Sequence, residues 1–576
     1  MVTAVGALCL ATGALCLAAG ALAAPTTTSY IVESHGPTSA AAAVRKVGGH
    51  VSLELPIIKG VAARLTAPQV DQLRKLSGVD LFVDAPVVNQ STIDATISLA
   101  PAGTGATAAA MTAASNANVN VIDKYSNKMV GVDKLAAQGF FGNGITVAVL
   151  DSGLWSTTGS SWGATQVETD MAGNNKILAT YDPSAGQGMS VPDAYGHGTH
   201  VTSIIGSPTT AIDGQPMGVA PMAKLVLVRA FNAAGTGTYS SVVSGLNWIY
   251  SHRTQYNIRV ANLSFGAKPQ SFYWNDPIDQ AVMQLWQSGV VVVASAGNFG
   301  PTAQSIAVPG NTPYVITVGA MTDNWTPNNT ADDGIASFSS AGPTYEGFVK
   351  PDVVAPGGHI VGIMDPHSMT LATGHPQFVT SASSLFVMSG TSQAAAVTTG
   401  VVALMLQANP SLTPDQVKCR LMASASSAVN AQGKAAYSIF QQGAGLVNAY
   451  NAVYSQAANC ANQGLNIAND VNMTAHYGGP AHQDASTGTF YVLDNTGTRV
   501  GADGYLWNNA FAKNQGYLWN NGYLWNNGYL WNNGYLWNNG YLWNNGYLWN
   551  NGYLWNQSTT APASAQSGTE SWNNQE

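Results

Sequence analysis

Across residues 123–454, short apolar runs keep alternating with longer stretches of helical pattern, and this alternation constrains the fold most. Ile145-Thr146-Val147-Ala148-Val149-Leu150, Leu225-Val226-Leu227-Val228, Val260-Ala261-Asn262-Leu263-Ser264, Val290-Val291-Val292-Val293-Ala294 and Val315-Ile316-Thr317-Val318 read as buried strands. Helical stretches intervene at 201–205, 239–251 and 277–288. Largely apolar strands separated by helices predict a doubly wound, mostly parallel sheet covered on both faces. In such a sheet chemistry gathers at the carboxyl ends of strands, in loops and at helix N-termini.

A smaller pattern precedes it. Residues 29–88 read as strand, helix, two strands, helix, strand, the order of a small α+β ferredoxin-like module. Residues 95–122 carry no charge, are mostly Ala, Thr, Ser, Gly and Asn, and read as a flexible linker open to cleavage. The boundaries expected are 1–23 for a leader, 24–94 for the small module, 95–122 for the linker and 123–455 for the large domain. A C-terminal extension follows at 456–503, then repeats at 504–557 and a polar tail at 558–576.

Only 9% of residues are charged and the net charge is −8, so there is no basic footprint for nucleic acid. The first charge is Glu33, and the Ala/Leu/Gly/Val stretch before it ends in Ala21-Leu22-Ala23, a small-x-small cleavage pattern. That reads as a secretory signal peptide lacking its usual positive start, with an uncleaved anchor as the alternative. The expected location is secreted, with or without attachment to the cell surface. Cys9 and Cys16 leave with the leader, and Cys419 and Cys460 remain as a candidate disulfide or as two buried thiols.

Four positions carry chemistry. Asp151 ends a buried strand, where a carboxylate is either catalytic or a turn residue. Gly196-His197-Gly198-Thr199-His200 sets two histidines at the start of a helix; no Cys or Glu nearby completes a metal site, so one general base fits better. Asn298 follows the strand 290–294, and its amide is a candidate oxyanion donor. Ser392, after Gly390-Thr391, heads a small-residue run to Ala408, where the helix N-terminus favours developing negative charge; the plain alternative is an N-cap.

Taken together, Val-Ala-Val-Leu-Asp151-Ser-Gly, Gly-His197-Gly-Thr-His-Val, Ala-Gly-Asn298 and Ser-Gly-Thr-Ser392 resemble the subtilisin-like serine proteases, including the chain order Asp, His, Ser. Gly218-Val219-Ala220-Pro221, Asn262-Leu263-Ser264-Phe265-Gly266 and Lys350-Pro351-Asp352-Val353-Val354-Ala355-Pro356-Gly357 add to it. The resemblance implies an Asp151–His197–Ser392 triad, an oxyanion hole of the Asn298 amide and the Ser392 N–H, and His200 as structural. It implies a cleft whose flanking strands are Gly235-Thr236-Gly237 and Ser264-Phe265-Gly266, with Ser295-Ala296-Gly297 lining the far wall of the main pocket. With no Asp or Glu in those walls, an apolar or aromatic side chain is expected before the cleaved bond. It also implies polypeptide substrates, a zymogen whose small module is an intramolecular inhibitor, and no cofactor for catalysis. No metal ligands are assigned: structural calcium, usual in the family, finds only Asp213 in the loop 207–217. Gln393 and Ala396 stand where the family commonly has Met and Pro.

The tail repeats Gly-Tyr-Leu-Trp-Asn-Asn from Gly504, with eight Gly-Tyr-Leu-Trp units. An even period places every Tyr and Trp on one face of an extended chain. Its expected roles are binding to a cell surface or polysaccharide, self-association, or none. The rival to a protease is therefore a surface or adhesive protein with an inert protease domain.

Overall fold

The computed structural model describes residues 26–89, 125–155, 165–188, 190–211, 214–324, 330, 332–380, 384–429, 435–493, 499–500 and 523–525. The leader, the linker and the repeats other than Tyr523–Trp525 lie outside the described residues.

The small module runs β1 (Thr28–Ser34), α1 (Ala40–Lys46), β2 (His50–Leu55), β3 (Gly60–Leu65), α2 (Ala67–Leu73) and β4 (Val79–Val83). Its strands form one antiparallel sheet in the order β2-β3-β1-β4. Ser39 caps α1 by accepting the Ala42 N–H, and Thr66 with Gln69 forms a capping box on α2. Because side chains alternate across a strand, the sheet has two distinct faces. Val32, Ala63, Leu65, Val44, Val70 and Leu73 make the module's own core. Ile31, Leu55, Ala62 and the following Ile57 and Ile58 belong instead to the core of the large domain. The module is thus one apolar face short of self-sufficient, and the large domain supplies the cover.

Among the described residues of the large domain the central sheet has nine strands: β6 (Thr146–Asp151), β7 (Ile177–Asp182), β8 (Gly186–Gln187), β9 (Lys224–Arg229), β11 (Ile258–Leu263), β12 (Val291–Ser295), β13 (Ile316–Thr322), β14 (Gly334–Ile335) and β15 (Val353–Pro356). Their order is β14-β13-β12-β11-β6-β9-β7-β8, with β15 also on β13. The short edge strands β8 and β14 are antiparallel, and every other pair is parallel. The doubly wound, mostly parallel sheet expected from the strand pattern is what the chain builds. β7, β15 and the two-residue edge strands β8 and β14 were not among the expected strands. β7 carries polar residues, and β15 lies inside a proline-flanked motif.

Outside the main sheet lie β5 (Pro86–Val88) and β10 (Thr236–Thr238). The helices that matter are α3 (His197–Gly206), α4 (Tyr239–His252), α5 (Pro277–Gln287) and α6 (Thr391–Ala408). Helix α6 is the hub, buried at every residue through Leu406, as suits a helix without a polar face. Gly400 lets it approach the next segment: a Cβ there would stand 2.4 Å from the Val219 Cβ.

The Lys350-Pro351-Asp352 motif is an internal ionic anchor. The buried Asp352 carboxylate accepts from Lys350 Nζ at 2.7 Å and the Thr317 N–H at 2.8 Å, and lies 3.1 Å from Lys418 Nζ. Cys419 is bonded to Cys460 with a Cα–Cα distance of 5.1 Å. Cys460, Tyr477, Ala481 and Val492 share the main core, so residues up to this point are built onto the same body. Tyr523–Trp525, from one repeat unit, pairs antiparallel with His476–Gly478. Among the described residues no helix is long and apolar enough to cross a membrane.

Candidate active site

Parallel strands deliver their chemistry at carboxyl ends, and β6 ends on Asp151. Gly196 and Gly198 flank His197 at the first turn of α3, and the second of these permits close approach: a Cβ at 198 would stand 2.4 Å from the Gly153 carbonyl oxygen. His197 Nδ1 consequently lies 2.8 Å and 3.0 Å from the two Asp151 oxygens. Asp151 Oδ1 also accepts the Ser152 N–H at 2.7 Å, and the Gly198 N–H donates to Ser152 Oγ at 2.8 Å. Both members of the pair are buried. With Nδ1 turned to the carboxylate, the other nitrogen, Nε2, is the one left for chemistry.

His200, one turn on, goes elsewhere. Its Nε2 lies 3.1 Å from the Phe386 carbonyl oxygen, and burial pushes its pKa down to about 3. It is a neutral packing residue.

Ser392 is the second residue of α6, so its N–H lacks a carbonyl partner from a preceding turn. The helix start is tied to the end of β11 by reciprocal bonds: Ser264 Oγ donates to the Ser392 carbonyl at 3.0 Å, and Ser392 Oγ donates to the Ser264 carbonyl at 3.3 Å. Asn262 Nδ2 fixes Ser264 Oγ at 2.9 Å, and Thr399 Oγ1 fixes Asn262 Oδ1 at 2.8 Å. His197 Nε2 is buried and has no hydrogen-bond partner among the described residues. Ser392 and His197 are therefore brought into one site without a bond between them, the hydroxyl being turned to Ser264.

Asn298 reaches the same helix start from the loop after β12. Its Oδ1 accepts the Thr391 N–H at 2.9 Å and Thr391 Oγ1 at 2.7 Å. That fixes the amide so that Nδ2 lies beside Gly390, 3.3 Å from where a Cβ would stand. The wall residues are joined as well: Ser295 Oγ donates to the Phe265 carbonyl at 3.1 Å, linking Ser295-Ala296-Gly297 to Ser264-Phe265-Gly266. Gln393, also buried, has neither side-chain polar atom bonded among the described residues.

The cleft is filled by the chain's own N-terminal part. β5 pairs antiparallel with β10, Val88 opposite Thr236, while Val88 exchanges two bonds with Gly266 on the other side, at 3.2 Å and 3.0 Å. The Asn89 N–H continues this by donating to the Gly235 carbonyl at 2.9 Å. Asn89 itself ends in the site: Nδ2 lies 3.1 Å from Asp151 Oδ1, 3.2 Å from His197 Nδ1 and 3.4 Å from the Ser264 carbonyl oxygen. Sequence reasoning missed this residue. An Asn after Pro86-Val87-Val88 reads as a turn, and only the long-range register reveals its place.

Among the described residues no three His, Cys, Asp or Glu side chains stand together as a metal site, and Asp213 lies outside the described residues.

A model of the subtilase family matches residues 142–445, more than half of the chain. Serine protease AprX of Bacillus subtilis (strain 168) is 37% identical over 324 residues, covering 55% of this chain and 67% of AprX. Subtilisin DY of Bacillus licheniformis is 30% identical over 328 residues, 56% of this chain and 96% of that protein. Among solved structures, fervidolysin from Fervidobacterium pennivorans, a keratinolytic enzyme related to subtilisin, matches with a TM-score of 0.56. It is 22% identical, covers 83% of this chain and 68% of its own, and bears on the fold alone. Motif order, the sheet that positions those motifs and the extent of these matches agree: the chain belongs to the subtilase family and is a subtilisin-like serine endopeptidase.

Proposed function

We propose that this is a secreted endopeptidase made as a zymogen, with Asp151, His197 and Ser392 as its triad and residues 24–94 as an intramolecular inhibitor. The observation that carries the reading is the segment Pro86–Asn89, paired with both cleft strands and ending against the Asp151–His197 pair. Polypeptide substrates would bind in the same way, as a strand between Gly235-Thr236-Gly237 and Ser264-Phe265-Gly266. In that register Val88 faces Gly266, so a substrate's position two residues further on faces Ser264, whose carbonyl touches the nucleophile.

For reaction, Ser392 Oγ turns from the Ser264 carbonyl toward His197 Nε2 and attacks the substrate carbonyl as His197 takes its proton. Asp151 holds Nδ1–H and stabilises the imidazolium that forms. The Asn298 amide and the Ser392 N–H meet the oxyanion. As the adduct collapses the C–N bond breaks, His197 gives its proton to the leaving amine, and water then hydrolyses the acyl-enzyme with His197 as base. The hydrogen-bonded Asp151–His197 pair weighs against an inert protease domain serving only to carry an adhesive tail. The repeat is proposed as an attachment segment for a surface, a polysaccharide or a second copy. Structural calcium remains an expectation of the family, with no ligands assigned and no step above depending on it.

Expression of the full chain with and without Ser392→Ala tests the reading. The unchanged chain is expected to lose its N-terminal module and clear casein, and the variant to do neither. A wild-type chain that keeps its length and leaves casein intact would sink the proposal.

A further inference from the structure

Asn89 is fully buried, and its amide nitrogen faces two groups that can only accept, Asp151 Oδ1 at 3.1 Å and the Ser264 carbonyl oxygen at 3.4 Å. The third neighbour, His197 Nδ1, already points its hydrogen at Asp151, so at 3.2 Å it is a close approach of two donors. Asn89 Oδ1 is buried with no partner among the described residues, so the contact on the nitrogen side is what holds the amide. The space beside the triad therefore presents acceptors to whatever side chain enters it.

Resting on the protease reading above, we propose that this subsite selects a neutral hydrogen-bond donor, an Asn side chain above all, at the residue preceding the one that is cleaved after. The same contact slows turnover. Asp151 Oδ1 already receives the Ser152 and His197 N–H groups, at 2.7 Å and 2.8 Å. A third donor draws off the negative charge that must stabilise the imidazolium, and it sets an N–H dipole against Nδ1 as positive charge develops there. An Asn here gains binding and loses rate, which suits a segment that must occupy the cleft of its own enzyme. An Asp of the same shape would meet a carboxylate and a carbonyl with no hydrogen to offer.

The test uses the self-processed enzyme and three peptides, Pro-Val-Val-X-Phe p-nitroanilide with X as Asn, Asp or Ala, alongside casein; Phe supplies the aromatic side chain expected before the cleaved bond. The expected result is a KM about tenfold lower for Asn than for Ala, with kcat no higher, and a KM for Asp above that for Ala. Equal KM values for Asn and Asp would mean that shape alone is read and would overturn the inference. Full-length Asn89→Ala and Asn89→Asp provide a second readout: both should free active enzyme several-fold sooner than the unchanged chain, Asp the more so. Identical activation times would overturn it equally. If casein is cleaved and these differences are missing, only this inference fails; if neither casein nor any peptide is cleaved, the protease reading fails with it.

Discussion

Docking of the N-terminal module should weaken as pH rises, and Glu33 is the reason. On β1 it shares a face with Ile31, the face that packs on the large domain, and it is 0% exposed. Gln280 Nε2 from α5 donates to its Oε2 at 3.1 Å, while Oε1 has no partner among the described residues. His35 Nε2 stands 3.7 Å away, itself 3.6 Å from Asp80, and Asp276 at the start of α5 faces the same group. Burial, with Asp80 and Asp276 adding to it against the opposing pull of His35, pushes Glu33 up to about 7 from the 4.5 of a free carboxyl. The docked state thus holds a proton that the undocked state releases. Docking is strongest below pH 4.5 and loses strength as pH climbs to 7, by about 3 kcal/mol, a factor on the order of 100. His35, raised chiefly by its pairing with Glu33, has the same sign and carries the loss above its free value of 6.5. In the Ser392→Ala chain, hydrogen exchange of the β1 amides at pH 5 and 8, corrected for intrinsic rates, measures the opening, with β11 amides as the control. Glu33→Gln should abolish most of the pH dependence while leaving protection at pH 5 unchanged. Equal pH dependence in the two chains would refute the assignment.

Three further outcomes follow from the same contacts. Replacing Asn298 by Ala should lower kcat by about 10²–10³ with little change in KM, a magnitude carried over from the equivalent amide of a subtilisin, and an unchanged kcat would remove Asn298 from the oxyanion hole. Asp352→Asn leaves the buried Lys350 and Lys418 ammonium groups without their carboxylate and should cost about 3–5 kcal/mol, seen by calorimetry of the Ser392→Ala chain as a Tm lower by several degrees. Self-processing should cut between Gln90 and Ser91, by the register of Val88 on Gly266 and against the apolar preference of the pocket walls, so that terminal sequencing of the large fragment reads Ser-Thr-Ile-Asp; a terminus near residue 123 would place the cut in the linker instead.

What could be read from the sequence was what local chemistry dictates. β-Branched runs must be buried, so most strand positions and the parallel sheet were legible; that Asp151, His197 and Ser392 belong together was implied only by the family resemblance of their motifs. Where two constraints compete locally, the reading fell short. β7 mixes Thr, Tyr and Asp into its run, and Val353–Pro356 lies between prolines, so neither declares itself a strand. Residues 456–503 read as a C-terminal extension, yet Asp470 anchors the segment by accepting from the buried Tyr273 and Tyr314 hydroxyls at 3.0 Å and 2.5 Å. Such contacts span long sequence distances and leave no periodicity behind.

The occupied cleft is the clearest case, and its physics explains the architecture. The proposed binding of substrate as a strand requires two backbone edges, at Thr236–Thr238 and at Ser264–Gly266, that are otherwise left unpaired. Open edges of that kind invite any extended chain to add to them. The small module has the complementary deficit, a sheet face bearing Ile31, Leu55 and Ala62 with no helix of its own to cover it. Setting that face on α4 and α5 carries β5 into the open cleft. Asp84 fixes the crossing by accepting from the Ser240 N–H and Oγ, at 2.8 Å and 2.7 Å, at the start of α4. One docking event covers an apolar face, caps a helix and satisfies both edges. Since the edge pairing and the face burial draw on separate contacts, cutting the chain beyond Asn89 leaves both in place. In the proposed zymogen, release must then come from weakening the face, which is where the ionisation of Glu33 acts.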